Sequence, residues 1–121
     1  MSHVVKAKVE IKNEACLVRA AEFLGLTNLG RDTHKLYNGQ KAEGLAFTLP
    51  AWDYPVVINT DSGEVSYDNY GEHWGKQIEL DKLVQRYSVE TLNDQAAIEG
   101  YTVGEEELDN GDIELSMHAF A

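Results

Sequence analysis

The chain has 121 residues, enough for one domain with a single ordinary core, and its 43% apolar and 26% charged residues are typical of globular proteins. Its 21 acidic and 10 basic residues give a net charge of −11. That charge disfavours direct binding to nucleic acid or to an anionic membrane, because both attract Lys and Arg.

Targeting signals and disulfides are not expected in this chain. No apolar run approaches the roughly 18 residues of a membrane span. The first residues lack the apolar block of a secretory signal. A single cysteine, Cys16, rules out an intrachain disulfide and is typical of a reducing compartment. The sequence therefore predicts a cytoplasmic protein.

The first 25 residues predict a strand followed by a helix. Apolar and charged residues alternate from Val5 to Ile11, which is the period of a strand with one face in the core. Asn13 stands where a helix N-cap would be, and apolar residues then recur at helical spacing as far as Leu24. Gly25 is well suited to end that helix.

The middle of the chain predicts one loop and three short strands. The stretch 27–44 is polar and contains two internal glycines, so it is predicted to be a loop, with a short strand at 34–37 as an option. Three strands are expected after it: 45–49, a strand beginning at 56–58, and a return strand around 65–67 that follows the turn at 61–63.

The stretch from Trp74 to Tyr101 predicts one long amphipathic helix that ends at Gly100 and leads into a strand. Six residues fall on its apolar face at spacings of three, four or seven. They are Leu80, Leu83, Val84, Tyr87, Thr91 and Ile98, of which Leu80, Leu83, Tyr87 and Ile98 are predicted to be buried.

The last 20 residues predict a β-hairpin. Asn110-Gly111 favours a type I′ turn, and apolar residues alternate with polar ones from Ile113 to Ala119. The resulting order, β-α-β-β-β-α-β-β, predicts a single α+β domain over residues 1–121. We expect a two-layer sandwich with a mainly antiparallel sheet and two helices on one face. A ferredoxin-like arrangement with an added hairpin is one form of it.

Two segments resemble the hypothetical chloroplast open reading frame thirty-five family, a small domain of unknown function from plastids, cyanobacteria and other bacteria. The first is the opening MSHVVKAKVEIKN with EACLVRAAEFLG. The second is LDKLVQRYSVETLNDQAAIEGY with the strand IELSMHAF. Together they cover about half of the chain. The resemblance implies one domain of cyanobacterial or phage origin and no particular activity, because it rests on packing residues.

The sequence predicts neither a metal site nor a cofactor. Its four histidines are scattered, and one cysteine cannot complete a zinc site with them. Cys16 lies in the first turn of a predicted helix, where a thiol can become reactive, but Glu14 beside it opposes thiolate formation. No glycine-rich phosphate loop precedes a helix.

Two groups of residues are candidates for binding a partner. Aromatic side chains on a polar loop often mark a contact surface, and a run of carboxylates can dock a basic protein or simply keep a hairpin edge unpaired. The candidate residues are Trp52, Tyr54, Tyr70, Trp74, Glu105, Glu106, Glu107, Asp109 and Asp112.

Three functional hypotheses follow. The first is a non-enzymatic accessory or binding protein that acts through protein–protein contacts, with a partner that could be basic. The second is an acidic inhibitor of phage type that mimics nucleic acid. The third is an enzyme whose pocket combines Tyr87, His73 and His118. An uncovered apolar sheet face or edge could also make the chain a homodimer.

Overall fold

The computed structural model of the chain describes residues 5–7, 10–36, 39–68, 72–73 and 75–119. The described residues form two helices and seven strands, which confirms the predicted α+β class. The elements are β1 (Val5–Ala7), α1 (Glu14–Phe23), β2 (Thr27–Lys35), β3 (Lys41–Thr48), β4 (Val56–Asn59), β5 (Glu64–Tyr67), α2 (Gln77–Ile98), β6 (Tyr101–Glu107) and β7 (Ile113–Ala119).

Five strands form one antiparallel sheet in the order β1-β5-β4-β3-β2. Strands β2 to β5 follow one another as a meander, and β1 pairs with β5 at the far edge. The two strands that α1 connects therefore lie at opposite edges, with three strands between them. The ferredoxin-like expectation is wrong, because its split βαβ unit keeps those two strands much closer.

Strand β2 corrects the prediction of a loop over residues 27–44. It pairs with β3 from Thr27 opposite Thr48 to Lys35 opposite Lys41, with a bulge between Asn28 and Gly30. As an edge strand it exposes most of its side chains, so its sequence lacks the alternation of a half-buried strand. This is why it could not be recognised from its pattern.

Helix α1 begins and ends where its capping residues predict. The Asn13 side chain accepts a hydrogen bond from the backbone N–H of Cys16 at 3.1 Å. At the other end Gly25 has a φ of 72°, and the N–H groups of Gly25 and Leu26 donate to the carbonyls of Glu22 and Ala21. These two bonds form a Schellman motif, which satisfies carbonyls that the helix leaves free.

Both helices pack on one face of the five-stranded sheet, as predicted. Alternate residues of β3 and β4, such as Phe47 and Ile58, meet Leu17 of α1 and Leu83 of α2 in the main core. The residues between them face the other way, where Leu36, Ala46 and Val57 form a smaller buried cluster.

Helix α2 confirms the predicted burial of Leu80, Leu83 and Tyr87, but Ile98 is 80% exposed. The helix is about 33 Å long. Its last turn buries Ala96 on another side, which leaves Ile98 in solvent. Arg86, Val89 and Ala96 are buried on a second stripe of the same helix.

Strands β6 and β7 form a separate two-stranded sheet, which we call the hairpin. Only Glu99 and Gly100 lie between α2 and β6, so the hairpin runs back along α2. The expected type I′ turn is wrong, because Gly111 has a φ of 89° while Asn110 has a negative φ. Bonds from Gly111 N–H to Leu108 and from Leu108 N–H to Asp112 instead close a three-residue loop.

Candidate functional site

The aromatic candidates do not form one surface. Trp52 packs against the main core, where its indole N–H donates to the carbonyl of Lys76 at 2.9 Å and its ring meets Tyr67 edge-on at 5.8 Å. Tyr54 packs against the smaller cluster on the opposite face of the sheet. Tyr70 and Trp74 lie outside the described residues.

The position of Trp52 follows from its close packing against Gly75. A β-carbon at Gly75 would lie 2.5 Å from the indole ring, so only glycine allows this close approach to the start of α2. Trp52 thus fixes the segment that precedes α2. Its part in binding a partner stays a prediction.

The acidic candidates all lie on the hairpin, where Glu105, Glu106, Glu107, Asp109 and Asp112 are exposed. Glu105 differs from the others, because its carboxylate binds the guanidinium of Arg86 at 2.5 and 3.2 Å. The remaining four carboxylates have no ion pair among the described residues. The predicted acidic surface therefore contains one residue that attaches the hairpin and four that face solvent.

Arg86 is the main polar link between α2 and the hairpin. Its side chain is only 8% exposed, and it also binds Glu90 at 2.6 and 3.0 Å. Burial alone would lower the pKa of Arg86, but the hydrogen bonds that it donates to Glu105 and Glu90 raise it. The bond that Glu105 accepts from Arg86 lowers the pKa of Glu105. Both groups therefore stay charged, as a paired buried arginine requires.

A groove of about 520 Å³ lies between the end of α1, the start of α2 and the loop of the hairpin. Arg86 stacks on the ring of Phe23 at 3.8 Å, which holds this phenylalanine at the groove. Phe23 is still 66% exposed, and Ile78, which lines the groove from α2, is 54% exposed. We call the site the apolar groove. Its lining residues are Phe23, Leu24, Ile78, Asp81, Lys82, Gln85, Arg86, Glu107, Asn110, Gly111, Asp112 and Ile113.

Three of the five charged residues that line the apolar groove are carboxylates without a cationic partner among the described residues. Asp81, Glu107 and Asp112 line it without an ion pair among the described residues, whereas both of its cations are paired. Lys82 binds Glu79 at 3.4 Å, and Arg86 binds Glu90 and Glu105. None of these three glutamates lines the groove, so the groove itself presents negative charge.

Cys16 is buried and stays a thiol. Burial raises its pKa, and the neighbouring carboxylate of Asp94, at 3.4 Å from the sulfur, raises it further despite the opposing charge of Arg19. Arg19 in turn lowers the pKa of Asp94 through a hydrogen bond of 2.8 Å. A nucleophilic role needs a thiolate at an accessible position, and this environment provides neither.

The three residues proposed for an enzymatic pocket do not share a cavity. Tyr87 is buried in the core, and its hydroxyl accepts a hydrogen bond from the N–H of Asn13 at 3.2 Å, which ties α2 to the start of α1. His73 and His118 are exposed. None of the three lines the apolar groove or the shallow depression at residues 106–110.

The sequence analysis missed Phe23, Ile78 and Arg86. Ile78 lies on the same stripe of α2 as Val89 and Ala96. These two residues follow it by eleven and eighteen positions, and both separations are helical spacings. This second apolar stripe was a usable signal that α2 has a neighbour on two sides. Nothing in the sequence indicated that the hairpin would leave the N-terminal end of that stripe uncovered.

Two features are absent from the described residues. They contain no group of three or more His, Cys, Asp or Glu side chains arranged to hold a metal ion. Within the same part of the chain, neither helix has the length and apolar content needed to span a membrane.

Comparisons with known proteins assign no relative. No family model, no curated protein and no solved structure matches the chain significantly. The resemblance to the hypothetical chloroplast open reading frame thirty-five family, and the cyanobacterial or phage origin that it implies, therefore stay predictions.

Proposed function

We propose that this chain is a non-enzymatic accessory or binding protein that acts through protein–protein contacts at the apolar groove. The observation that carries the proposal is the exposure of Phe23 and Ile78, which line one concave site from two different helices. A clustered pair of large apolar side chains in a groove with a polar rim is typical of an interaction site.

The geometry around Phe23 supports this assignment. Arg86 binds two carboxylates and also stacks on the ring, so the groove wall is held by the same contacts that attach the hairpin. A wall that is rigid before binding loses little side-chain entropy when a partner covers it. Covering Ile78 and Phe23 would then contribute favourably, at roughly 25 cal/mol for each Å² of apolar surface removed from water.

The nucleic-acid mimic remains the second candidate, but the distribution of carboxylates favours it less. Such a mimic needs phosphate-like charges over one continuous face. The acidic residues of this chain occur on α1, on α2, on β2, β3 and β5, and on the hairpin. Several are also neutralised by arginine, among them Glu14 by Arg31 and Asp94 by Arg19.

The enzyme hypothesis has the least support. Tyr87 already has a structural hydrogen bond, and the two histidines are exposed. A general acid or base needs to lie within hydrogen-bond reach of a substrate held in a pocket. No described concave site brings these side chains together.

The proposal is tested with a matched pair of substitutions on α2. Ile78→Lys places a charge in the apolar groove, and Ile98→Lys makes the same change at an isoleucine that is 80% exposed at the other end of the helix. Each variant is used as bait in a lysate of the organism that encodes the chain, and retained proteins are quantified by mass spectrometry.

We expect a protein that wild type and Ile98→Lys retain and that Ile78→Lys loses. Equal retention by both variants, at low and at physiological salt, would contradict the apolar groove as the site of contact. Circular dichroism of both variants checks that neither substitution unfolds the chain.

A further inference from the structure

Resting on the proposed function, we infer that the partner reaches the apolar groove with a short basic segment carrying one or more large apolar side chains. The groove combines two features that such a segment would satisfy at once. Its apolar walls can bury a hydrophobic side chain, and its carboxylates can pair with Lys or Arg beside that side chain.

The apolar part of the site is formed by three separate elements. Phe23 and Leu24 come from the end of α1, Ile78 from the start of α2, and Ile113 from the start of β7. A volume of about 520 Å³ is in the range of small-ligand sites and accommodates one or two large side chains. The groove is open rather than enclosed, which suits a segment of a larger partner.

The negative charge of the groove favours a positively charged segment. Asp81, Glu107 and Asp112 line the groove without cations, because Lys82 and Arg86 are bound by carboxylates outside it. The whole chain carries a net charge of −11, which adds long-range attraction for a basic partner. An acidic segment would meet repulsion from both sources.

A second copy of this chain fits the groove less well than a basic partner. In a symmetric dimer the same patch faces itself, so the carboxylates of Asp81, Glu107 and Asp112 would approach their own copies. Two chains that each carry −11 would also repel one another at low ionic strength. The homodimer expected as an option from the sequence is therefore the alternative that the experiment must distinguish from a basic partner.

The test uses a labelled synthetic peptide of about twelve residues in which pairs of Leu alternate with pairs of Lys, a length that covers roughly three helical turns. A second peptide replaces every Lys by Glu. Binding to the full chain is measured by fluorescence anisotropy. Light scattering records the oligomeric state of the free protein and of each complex.

Two matched comparisons separate the groove from general attraction to an acidic protein. Ile78→Lys and Ile98→Lys change the net charge equally and differ only in position. The triple change Asp81→Asn, Glu107→Gln and Asp112→Asn is likewise matched by a second triple change at exposed carboxylates outside the groove, namely Glu10→Gln, Glu43→Gln and Asp61→Asn.

We expect the Lys peptide to bind wild type and to bind Ile78→Lys about tenfold more weakly, with Ile98→Lys near wild type. The groove triple variant should also weaken binding more than its control. The Glu peptide should not bind. If the groove triple variant does not fold, the two lysine variants decide the question.

Equal weakening within each matched pair would overturn the inference, since it would mean non-specific attraction. A wild-type dimer that Ile78→Lys converts to a monomer would also overturn it, because a second copy would then occupy the groove. If Ile78→Lys abolishes partner retention from lysate but neither peptide binds, the inference fails while the proposed function stands.

Discussion

The main core and the hairpin are stabilised in different ways. In the core, Phe47, Val56, Ile58 and Leu83 are completely or almost completely buried, and α1 and α2 cover one face of the sheet. In the hairpin no residue is buried, and most side chains are exposed on both strands. A two-stranded hairpin is marginally stable by itself, so this one depends on what attaches it to α2.

The attachment of the hairpin includes a buried ion pair, and this feature bears on function. Arg86 is the buried charged group that reaches from α2 to the hairpin, through Glu105. The same arginine stacks on Phe23 at the apolar groove. Arg86 therefore connects the attachment of the hairpin to one wall of the apolar groove.

The largest expected effect is in the core. Phe47→Ala removes a fully buried ring near the end of β3 and should destabilise the fold by about 3–5 kcal/mol, through lost burial and the cavity left behind. Met117→Ala, at a 45% exposed position of the hairpin, should change stability by less than about 0.5 kcal/mol. Urea unfolding of both variants measures the difference.

If Met117→Ala lost as much stability as Phe47→Ala, the proposed difference between the hairpin and the main core would be contradicted. It would mean that the hairpin contributes to the same cooperative core. Equal urea slopes for the two variants and wild type are the control, since they show that the unfolding transition has not changed in kind.

An intermediate effect is expected from the two arginines that bind Glu90. Arg86→Leu breaks a network whose arginine is only 8% exposed and should cost about 2–4 kcal/mol, because Glu90 and Glu105 lose this cation. Arg19→Leu removes a similar two-carboxylate bridge whose arginine is 43% exposed, and its cost should be much smaller because water screens the pair.

Hydrogen exchange identifies where the loss occurs. Arg86→Leu should accelerate exchange of backbone amides in residues 101–119 while amides of the five-stranded sheet stay protected. Uniform acceleration across both regions would instead show that Arg86 stabilises the whole domain. In Arg19→Leu, we expect exchange in the hairpin to match wild type.

The smallest effect is a pH dependence of the hairpin. Arg86 lowers the pKa of Glu105, so this carboxylate stabilises the fold above the value of an unfolded glutamate and loses that contribution as the pH falls through its own lower pKa. The stability difference between wild type and Glu105→Gln should therefore be constant above about pH 5 and shrink below it. Thermal unfolding across this range measures it.

Glu106→Gln, at an exposed neighbouring position without an ion pair among the described residues, is the matched control. It should show no such convergence with wild type on acidification. A stability difference for Glu105→Gln that is independent of pH would show that Glu105 acts by packing rather than by its charge.

Local patterns in the sequence predicted the elements that depend on local contacts. Asn13 and Gly25 placed the ends of α1, and Gly100 placed the end of α2. The alternation in residues 113–119 predicted β7. In each case a side chain or a backbone conformation acts within a few residues, so the information is present in a short window.

Long-range arrangement escaped that kind of reasoning. Strand β2 is formed by pairing with β3, and its polar composition contains no sign of it. Ile98 has helical spacing on the apolar face of α2, yet it is 80% exposed, because the last turn buries Ala96 on another side. The three-residue loop at the hairpin tip replaced the expected turn, because Asn110 bonds through its side chain to Asp112 and keeps a negative φ.

The sequence by itself determined the α+β class, the two ends of α1, the C-terminal end of α2 and the burial of Leu80, Leu83 and Tyr87, since these follow from periodicity and local chemistry. Only the tertiary structure decided that the hairpin lies along α2, that Glu105 pairs with Arg86, and that Phe23 and Ile78 line one groove. The physical reason is distance along the chain. Phe23 and Ile113 are far apart in the sequence and line the same groove only in the folded chain, so no local pattern encodes their position.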